Sequence, residues 1–548
     1  MQVWTQAYDP LGSLWLSALV ALIPIIFFFV ALTTFNLKAH VAGPITAGIA
    51  VVIAVAVYGM PAPQAAAALA NGFAFGLWPI AWIVIAAVFL FKLTVKTGQF
   101  EIIRGSIASV TSDHRLQALL IAFSFGAFLE GAAGFGAPVA ITAALLVGLG
   151  FEPLYAAGLC LIANTAPVAF GAMGIPILVG ASVAGLDPFK VGAEAGRVLS
   201  ILILLVPFWI VAIMDGWRGV KETFPAALVA AVSFVAGMAL TANFVGPELP
   251  AIIGSIASLA CLTLFLKVWR PKRVFRFANA GPPPRPTQRY GAGQIFAAWL
   301  PFVILTLAVT AWNSPAFKAL VGKGGALAGT NVTFAWPYLD KLVLRAPPVA
   351  PTPTAYDATF SLNLLSATGT AILAAAVLSL LLARRGGVRV AVAAFIEVLD
   401  ELKKPILTIG AVVAFAYVCN YSGMSTTVAL LLARSGRVFV FLSPVVGWIG
   451  VFLTGSDTSS NALFCGLQAL TAQQIGIPDV VLVAANSTGG TIGKMISPQS
   501  IAVAAAAVGL VGQEGALFRF TLKHSALLVA IVGLMTAAQT YMFPATIP

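Results

Sequence analysis

Gly126-Ala-Phe-Leu-Glu-Gly131, continuing through Ala-Ala-Gly-Phe-Gly-Ala-Pro138, breaks a hydrophobic run with a carboxylate and clustered glycines. In the second half of the chain, Gly450-Val-Phe-Leu-Thr-Gly455, continuing through Ser-Asp-Thr-Ser-Ser-Asn461, repeats the pattern. Downstream, Ala163-Asn-Thr, Gly171-Ala-Met173 and Pro176 are matched by Ala485-Asn-Ser, Gly493-Lys-Met495 and Pro498, at a constant offset of 322 residues. Duplicated halves whose corresponding apolar segments are both interrupted by Gly and Pro point to the binding site of a secondary transporter. The chain is therefore expected to move a small solute across a membrane.

Composition sets the surroundings. Of 548 residues, 60% are hydrophobic and 9% are charged, against about 25% charged in a soluble domain. Apolar runs near spanning length recur at 14–34, 41–60, 72–91, 198–214, 224–240, 252–266, 295–311, 362–383 and 525–542; a hydrocarbon core of about 30 Å needs about 20 helical residues. Residues 1–12 lack a basic n-region and a small-residue cleavage site, so the first run reads as a retained span. The net charge of +12 is not a nucleic-acid signal. Lys267, Arg270, Lys272, Arg273, Arg276, Arg285 and Arg289 crowd one loop, and Arg384, Arg385 and Arg389 follow a later span. Such clusters beside span ends mark the cytoplasmic side. Cys160, Cys261, Cys419 and Cys465 show no metal-ligand spacing, and His40, His114 and His524 are scattered, so neither metal nor cofactor is expected.

The expected fold is an all-α polytopic membrane protein of two inverted-topology repeats. Residues 1–222 form the first repeat, with hairpin 116–149 and broken span 153–180. Residues 223–291 supply two linking spans and a basic cytoplasmic loop. Residues 292–548 form the second repeat, with hairpin 438–472 and broken span 478–510. The hairpin arms 116–129 and 137–149 are short for two crossings. A tip as glycine-rich as Gly131, Gly134 and Gly136 is poor lipid-facing helix, so a re-entrant hairpin with a buried tip is expected, with Gly455 at the matching tip. Short semi-polar helices at 99–112 and 424–435 are expected in the membrane interface. Five crossings per half and two linking spans give twelve crossings with inverted halves and both termini outside, an arrangement that puts the densest basic clusters inside.

Few ionisable groups lie deep in these segments: Glu130 and Asp457 at the hairpin tips and Lys494 in the second broken span. A charge at mid-bilayer costs about 2.5–3.5 kcal/mol on insertion scales, so such groups face a cavity or a partner. The functional reading gives Lys494 the attraction of an anionic substrate and gives Glu130 or Asp457 a coupling proton. Glu130 has the more apolar neighbours and is the first choice for that proton, while Asp457, among hydroxyls, suits substrate or gate organisation. A buried ion pair of Glu130 or Asp457 with Lys494, serving packing alone, is the competing reading. Ser456, Thr458, Ser459, Ser460 and Asn461 at the second tip, with Asn164, Thr165, Asn486, Ser487 and Thr488 lining the breaks, and Ser497 and Gln499 after Lys494, complete a substrate-binding set. Half-helix N-termini at such breaks favour carboxylates, and the side chains can bond a hydroxyl on the same molecule.

These segments, with Gly76-Leu-Trp-Pro-Ile-Ala-Trp82 and Gly493-Lys-Met-Ile-Ser-Pro-Gln-Ser500, resemble the signature segments of the bacterial lactate permease family. The resemblance runs from Trp4 to the last span. It implies proton-coupled import of L-lactate, with D-lactate and glycolate also accepted, across the inner membrane, and the paired hairpins and broken helices of the ion transporter superfamily. It carries over no substrate-contact residue. The partners expected are a small 2-hydroxy monocarboxylate, protons and membrane lipid, without nucleic acid. A Na⁺-coupled small-carboxylate transporter of the same architecture is the alternative, since the oxygens around Ser456–Asn461 suit a cation. A membrane-embedded enzyme finds no nucleophile–base arrangement in the sequence, and a channel finds no repeated carbonyl filter.

Overall fold

A computed structural model describes residues 3–35, 37–132, 134, 137–277, 290–348, 350, 352–383, 387–510 and 513–548. The chain is almost wholly helical, as its long apolar runs require: in hydrocarbon every backbone N–H and C=O must be satisfied internally. Among the described residues, nine helices are long and apolar enough to cross a membrane, or ten when the bent pair Pro153–Ala163 and Val168–Ala184 counts as one span.

That count differs from the expected twelve for local reasons, and two of the nine, His114–Ala132 and Gly436–Thr454, are hairpin arms that the twelve left out as too short to cross. The runs at 198–214 and 224–240 belong to one 57-residue helix, Pro188–Phe244, whose axis breaks at Asp215 (φ −138°) and Gly216 (φ 61°). At 1.5 Å per residue such a helix would extend about 86 Å unbroken, far beyond one bilayer. The run at 362–383 loses its start to a strand, Thr359–Asn363, so its helix is Thr368–Ala383. Residues 72–91 lie within a longer span, Ala62–Lys96, whose backbone leaves the helix at Trp78 (φ −134°, ψ 121°).

Both halves contain a helix pair followed by a broken span. The first pair is His114–Ala132 and Ala137–Gly148, the second Phe439–Thr454 and Asp457–Ile475. The first arm is longer than expected, nineteen residues, and its apolar window lies entirely inside the protein. Gly134 (φ 60°) and Gly455 (φ 71°) take the left-handed backbone that their turns need, while Gly136 lies outside the described residues. The two short helices expected at 99–112 and 424–435 are Gln99–Ala108 and Met424–Ala433, each entered through a left-handed glycine, Gly98 or Gly423.

The two broken spans differ, which the repeat alone did not foretell. In the first, helix Pro153–Ala163 stops at Asn164 and a 67° bend follows. In the second, helix Asp479–Gly493 runs straight through Asn486, Ser487 and Thr488, and the break comes at Lys494–Ser497. Those three residues therefore do not line a break. The cause is Pro167, whose counterpart at the same offset is Gly489: proline has no N–H to give and disfavours helix in the residue before it.

Small residues set the helix crossings, as in other membrane bundles. A Cβ on Gly76 would stand 2.7 Å from Gly410 Cα, and one on Gly237 2.9 Å from Gly254 Cα. At one end of the bundle the fully buried Arg115 bonds Asp113, Asp215 and Glu222 at 2.7–2.8 Å, tying the first hairpin to the break of the long helix. Outside the bundle, Asn331–Ala335 pairs antiparallel with Thr359–Asn363, and Val343–Arg345 lies between Trp4–Thr5 and Thr354–Ala355. The residues between the helices Ala292–Asn313 and Thr368–Ala383, with Trp4–Thr5, thus form two small sheets.

One of the close helix packings gives a test. A Cβ on Gly489 would sit 1.9 Å from Pro444 O, so Gly489→Ala should destabilise the protein by about 1–3 kcal/mol, the usual range for overpacking. Thermal unfolding in detergent should show a lower Tm. An unchanged Tm would mean that the helices stand further apart than described.

Candidate functional site

A cavity of about 230 Å³ lies where the two hairpins and the two broken spans meet. It is smaller than the roughly 300–1,000 Å³ of sites for drug-sized ligands, as suits a small solute. Three helices start at its wall: Asp457–Ile475 with Ser456 as N-cap, Pro498–Ala507 with Ser497 as N-cap, and Gly171–Ala184. The first two present the positive ends of their dipoles, which favour an anion, while the third is left-handed from Ala172 to Gly174 and becomes regular only beyond them.

Of the residues expected from sequence, Glu130, Gly134, Gly455, Ser456, Asp457, Thr458, Lys494 and Gln499 line this cavity. Lys494 Nζ donates to Glu130 Oε1 at 2.6 Å, and the two residues are 8% and 2% exposed. Glu130 is thus not the lone carboxylate in apolar surroundings that its neighbours suggested; the competing reading had allowed this pair. Gly171 makes room for it, since a Cβ there would stand 2.8 Å from Glu130 Oε1. The second oxygen, Oε2, is buried without a hydrogen-bond partner.

Asp457 has different company. Its Oδ2 accepts from Ser487 Oγ at 2.8 Å, and its Oδ1 is buried with no partner. Behind Ser487 runs a chain of donors all pointing toward this carboxylate. Ser443 Oγ donates to Gln468 Oε1, Gln468 Nε2 to Asn486 Oδ1, Asn486 Nδ2 to Asn461 Oδ1, and Asn461 Nδ2 to Ser487 Oγ, at 2.9–3.2 Å. Asn461 also donates to Pro176 O at 2.9 Å, joining the second hairpin to the first broken span. Aligned bonds of this kind polarise one another in a low dielectric. Asn461, Asn486 and Ser487 therefore support Asp457 from behind the cavity.

The remaining candidates are held elsewhere. Thr165 and Thr488 donate back to the carbonyls of Ile162 and Ala485, and Ser460 donates to Gly447 O. Ser497 caps its helix through Ser500 N, and the Ser459 N–H caps through Ser456 Oγ. Asn164 Oδ1 is buried without a partner. Gly131 packs on Ala251 and Ile252. Sequence reading missed Gln468 and Ser443. The signal was present for Gln468, which lies seven residues after Asn461 on one helical face.

Asn461→Ala would cut the donor chain and strand the Asn486 amide, at a cost of about 3 kcal/mol for buried groups left unsatisfied. Its Tm in detergent should fall well below that of Ser460→Ala, which removes one bond; equal Tm values would refute the chain.

The model of the family described as L-lactate permease matches residues 17–543. The chain is 59% identical over 552 residues to an L-lactate permease of Escherichia coli strain K12, with all of both chains covered. It is 58% identical to the glycolate permease GlcA of the same strain, over 99% of each chain. To an L-lactate permease of Bacillus subtilis strain 168 it is 52% identical, again over both whole chains. Among solved structures, the Alcanivorax borkumensis YdaH transporter overlays with a TM-score of 0.46 at 14% identity over 86% of each chain, too loose a likeness to carry weight.

Proposed function

The chain belongs to the L-lactate permease family, and from that premise we propose that it imports lactate and glycolate by proton symport across a bacterial inner membrane. The observation that carries the reading is the Glu130–Lys494 pair in the wall of a small, anion-favouring cavity. A substrate carboxylate reaching Lys494 competes with Glu130 for the same ammonium. Once displaced, Glu130 is a buried charge without a counter-ion, and breaking a buried pair in that way costs about 3–5 kcal/mol. A proton on Glu130 removes the penalty. Substrate anion and proton then load together, and neither loads cheaply alone.

The other cavity residues fit a 2-hydroxy acid. Ser456 and Thr458 offer hydroxyls at a helix N-terminus, and Gln499 offers an amide. Asp457, which makes no ion pair among the described residues and has one oxygen unpartnered, stands as the second proton-carrying candidate.

The halves, 1–222 and 292–548, are proposed to insert upside down relative to each other with both termini periplasmic, on the strength of an odd number of crossings in each half and of the side on which the basic clusters then fall. Single cysteines beside Gly131 and Gly455 should then react with an impermeant thiol reagent from opposite sides of the membrane. Labelling from one side only would reverse this arrangement.

Purified protein in liposomes tests the transport reading, with lactate, glycolate and unrelated carboxylates under imposed pH or Na⁺ gradients. Lys494→Ala should cut lactate uptake by about 10- to 100-fold, as expected for a lost charged hydrogen bond. Glu130→Gln should lose pH-driven accumulation yet keep lactate exchange. Accumulation driven by Na⁺ alone, or a fully active Lys494→Ala variant, would overturn the reading.

A further inference from the structure

The turn between the linking spans, Val245-Gly-Pro-Glu-Leu249, holds a carboxylate with no role so far. Glu248 is 6% exposed. Its Oε1 accepts from Thr368 Oγ1 at 3.1 Å, and its Oε2 is buried with no hydrogen-bond partner. Sequence reading passed over it because Gly-Pro-Glu-Leu-Pro looks like an ordinary turn.

Its placement is not ordinary. The turn lies against the start of the helix Gly171–Ala184: a Cβ on Gly174 would stand 2.1 Å from Pro247 O and 3.2 Å from Glu248 Cα. Three residues earlier, Gly171 lies against Glu130 in the same close way. Just after Glu248, Ala251 and Ile252 pack on Gly131, the neighbour of Glu130. Between the two contacts the backbone is left-handed at Ala172 (φ 44°), Met173 (φ 61°) and Gly174 (φ 71°). At Ala172 and Met173 such a backbone is strained; it persists only where the surroundings enforce it, and it clusters at functional sites. The strained turn thus separates two buried carboxylates, each with one oxygen unpartnered.

We propose that Glu248 is a second proton-binding group, which takes up the proton that Glu130 later carries with substrate. The proposal rests on the proton-symport reading above. The groups around Glu248 are its own backbone amide, Thr368, Asn313 and the more distant Lys318, while Glu130 lies beyond the turn, against Gly171. Burial pushes its carboxyl above the usual range, against the opposing pull of these neighbours. With the proton on, Oε2 becomes a hydroxyl and the turn carries no net charge, so the anion penalty of a dry site disappears.

The test uses the full-length protein in liposomes. Wild type is measured first: a protein that transports lactate without taking up protons removes the symport reading, whatever Glu248 does. Given coupling in wild type, Glu248→Gln should keep lactate exchange within about twofold while pH-driven accumulation falls at least tenfold, and Glu248→Asp should recover part of it. Wild-type accumulation by Glu248→Gln would overturn the proposal. So would equal loss of exchange and accumulation without recovery by Glu248→Asp, the mark of a mere staple to Thr368. Should Glu248→Gln not reach the membrane, Thr368→Val decides. Removing a bond that stabilises the charged carboxylate should shift the pH profile of driven uptake toward higher pH with exchange unchanged, and an unmoved profile would overturn the proposal.

Discussion

One buried ion pair organises this protein. Glu130 comes from the first hairpin and Lys494 from the second broken span, and neither charge is tolerable in that place without the other. Their meeting fixes how the two halves approach. The glycines around them follow from it, because Gly171 must leave space for the carboxylate and Gly134 must turn beside Ala172. Even the cavity is a by-product, the gap left where helix ends gather around two charges that cannot be covered by apolar side chains.

A second polar system lies beside the first and is built on another principle. Asp457 has no cation at bonding distance among the described residues; it is served by neutral donors, passed from Ser443 through Gln468, Asn486 and Asn461 to Ser487. Gly490 allows Asp457 its place, since a Cβ there would stand in contact with its Oδ1. An ion pair is strong but sensitive to any competing charge. A chain of amides and hydroxyls is directional and nearly indifferent to charge. The cavity wall thus joins one element held by opposite charges and one held by directional neutral bonds.

Much of this was legible in the residues. The membrane class follows from composition, and the gathering of Glu130, Ser456, Asp457, Thr458, Lys494 and Gln499 follows from their rarity in apolar segments. The partner of Lys494 was not decidable, because Glu130 and Asp457 lie at matching tips and only three-dimensional packing chooses between them. The placement of Asn486 and Ser487 at a break was misread because the repeat suggested equal breaks, and one substitution, Pro167 against Gly489, removes one of them. Thr165, Thr488 and Ser460 show the limit of counting hydroxyls: a hydroxyl in a helix has a carbonyl within reach and often takes it. Glu248 stayed hidden because burial of a turn depends on what packs over it.

The divergence of the two broken spans reaches beyond helix geometry. Where one copy has Lys494, the other has Ala172 at the same offset, and both residues face the cavity. The two matched stretches therefore give the cavity unlike walls. Among its lining residues the ammonium of Lys494 comes from one stretch alone, while Ser456 and Thr458 stand at the tip of the second hairpin. A chamber walled so unevenly offers a lopsided guest different company on its different sides.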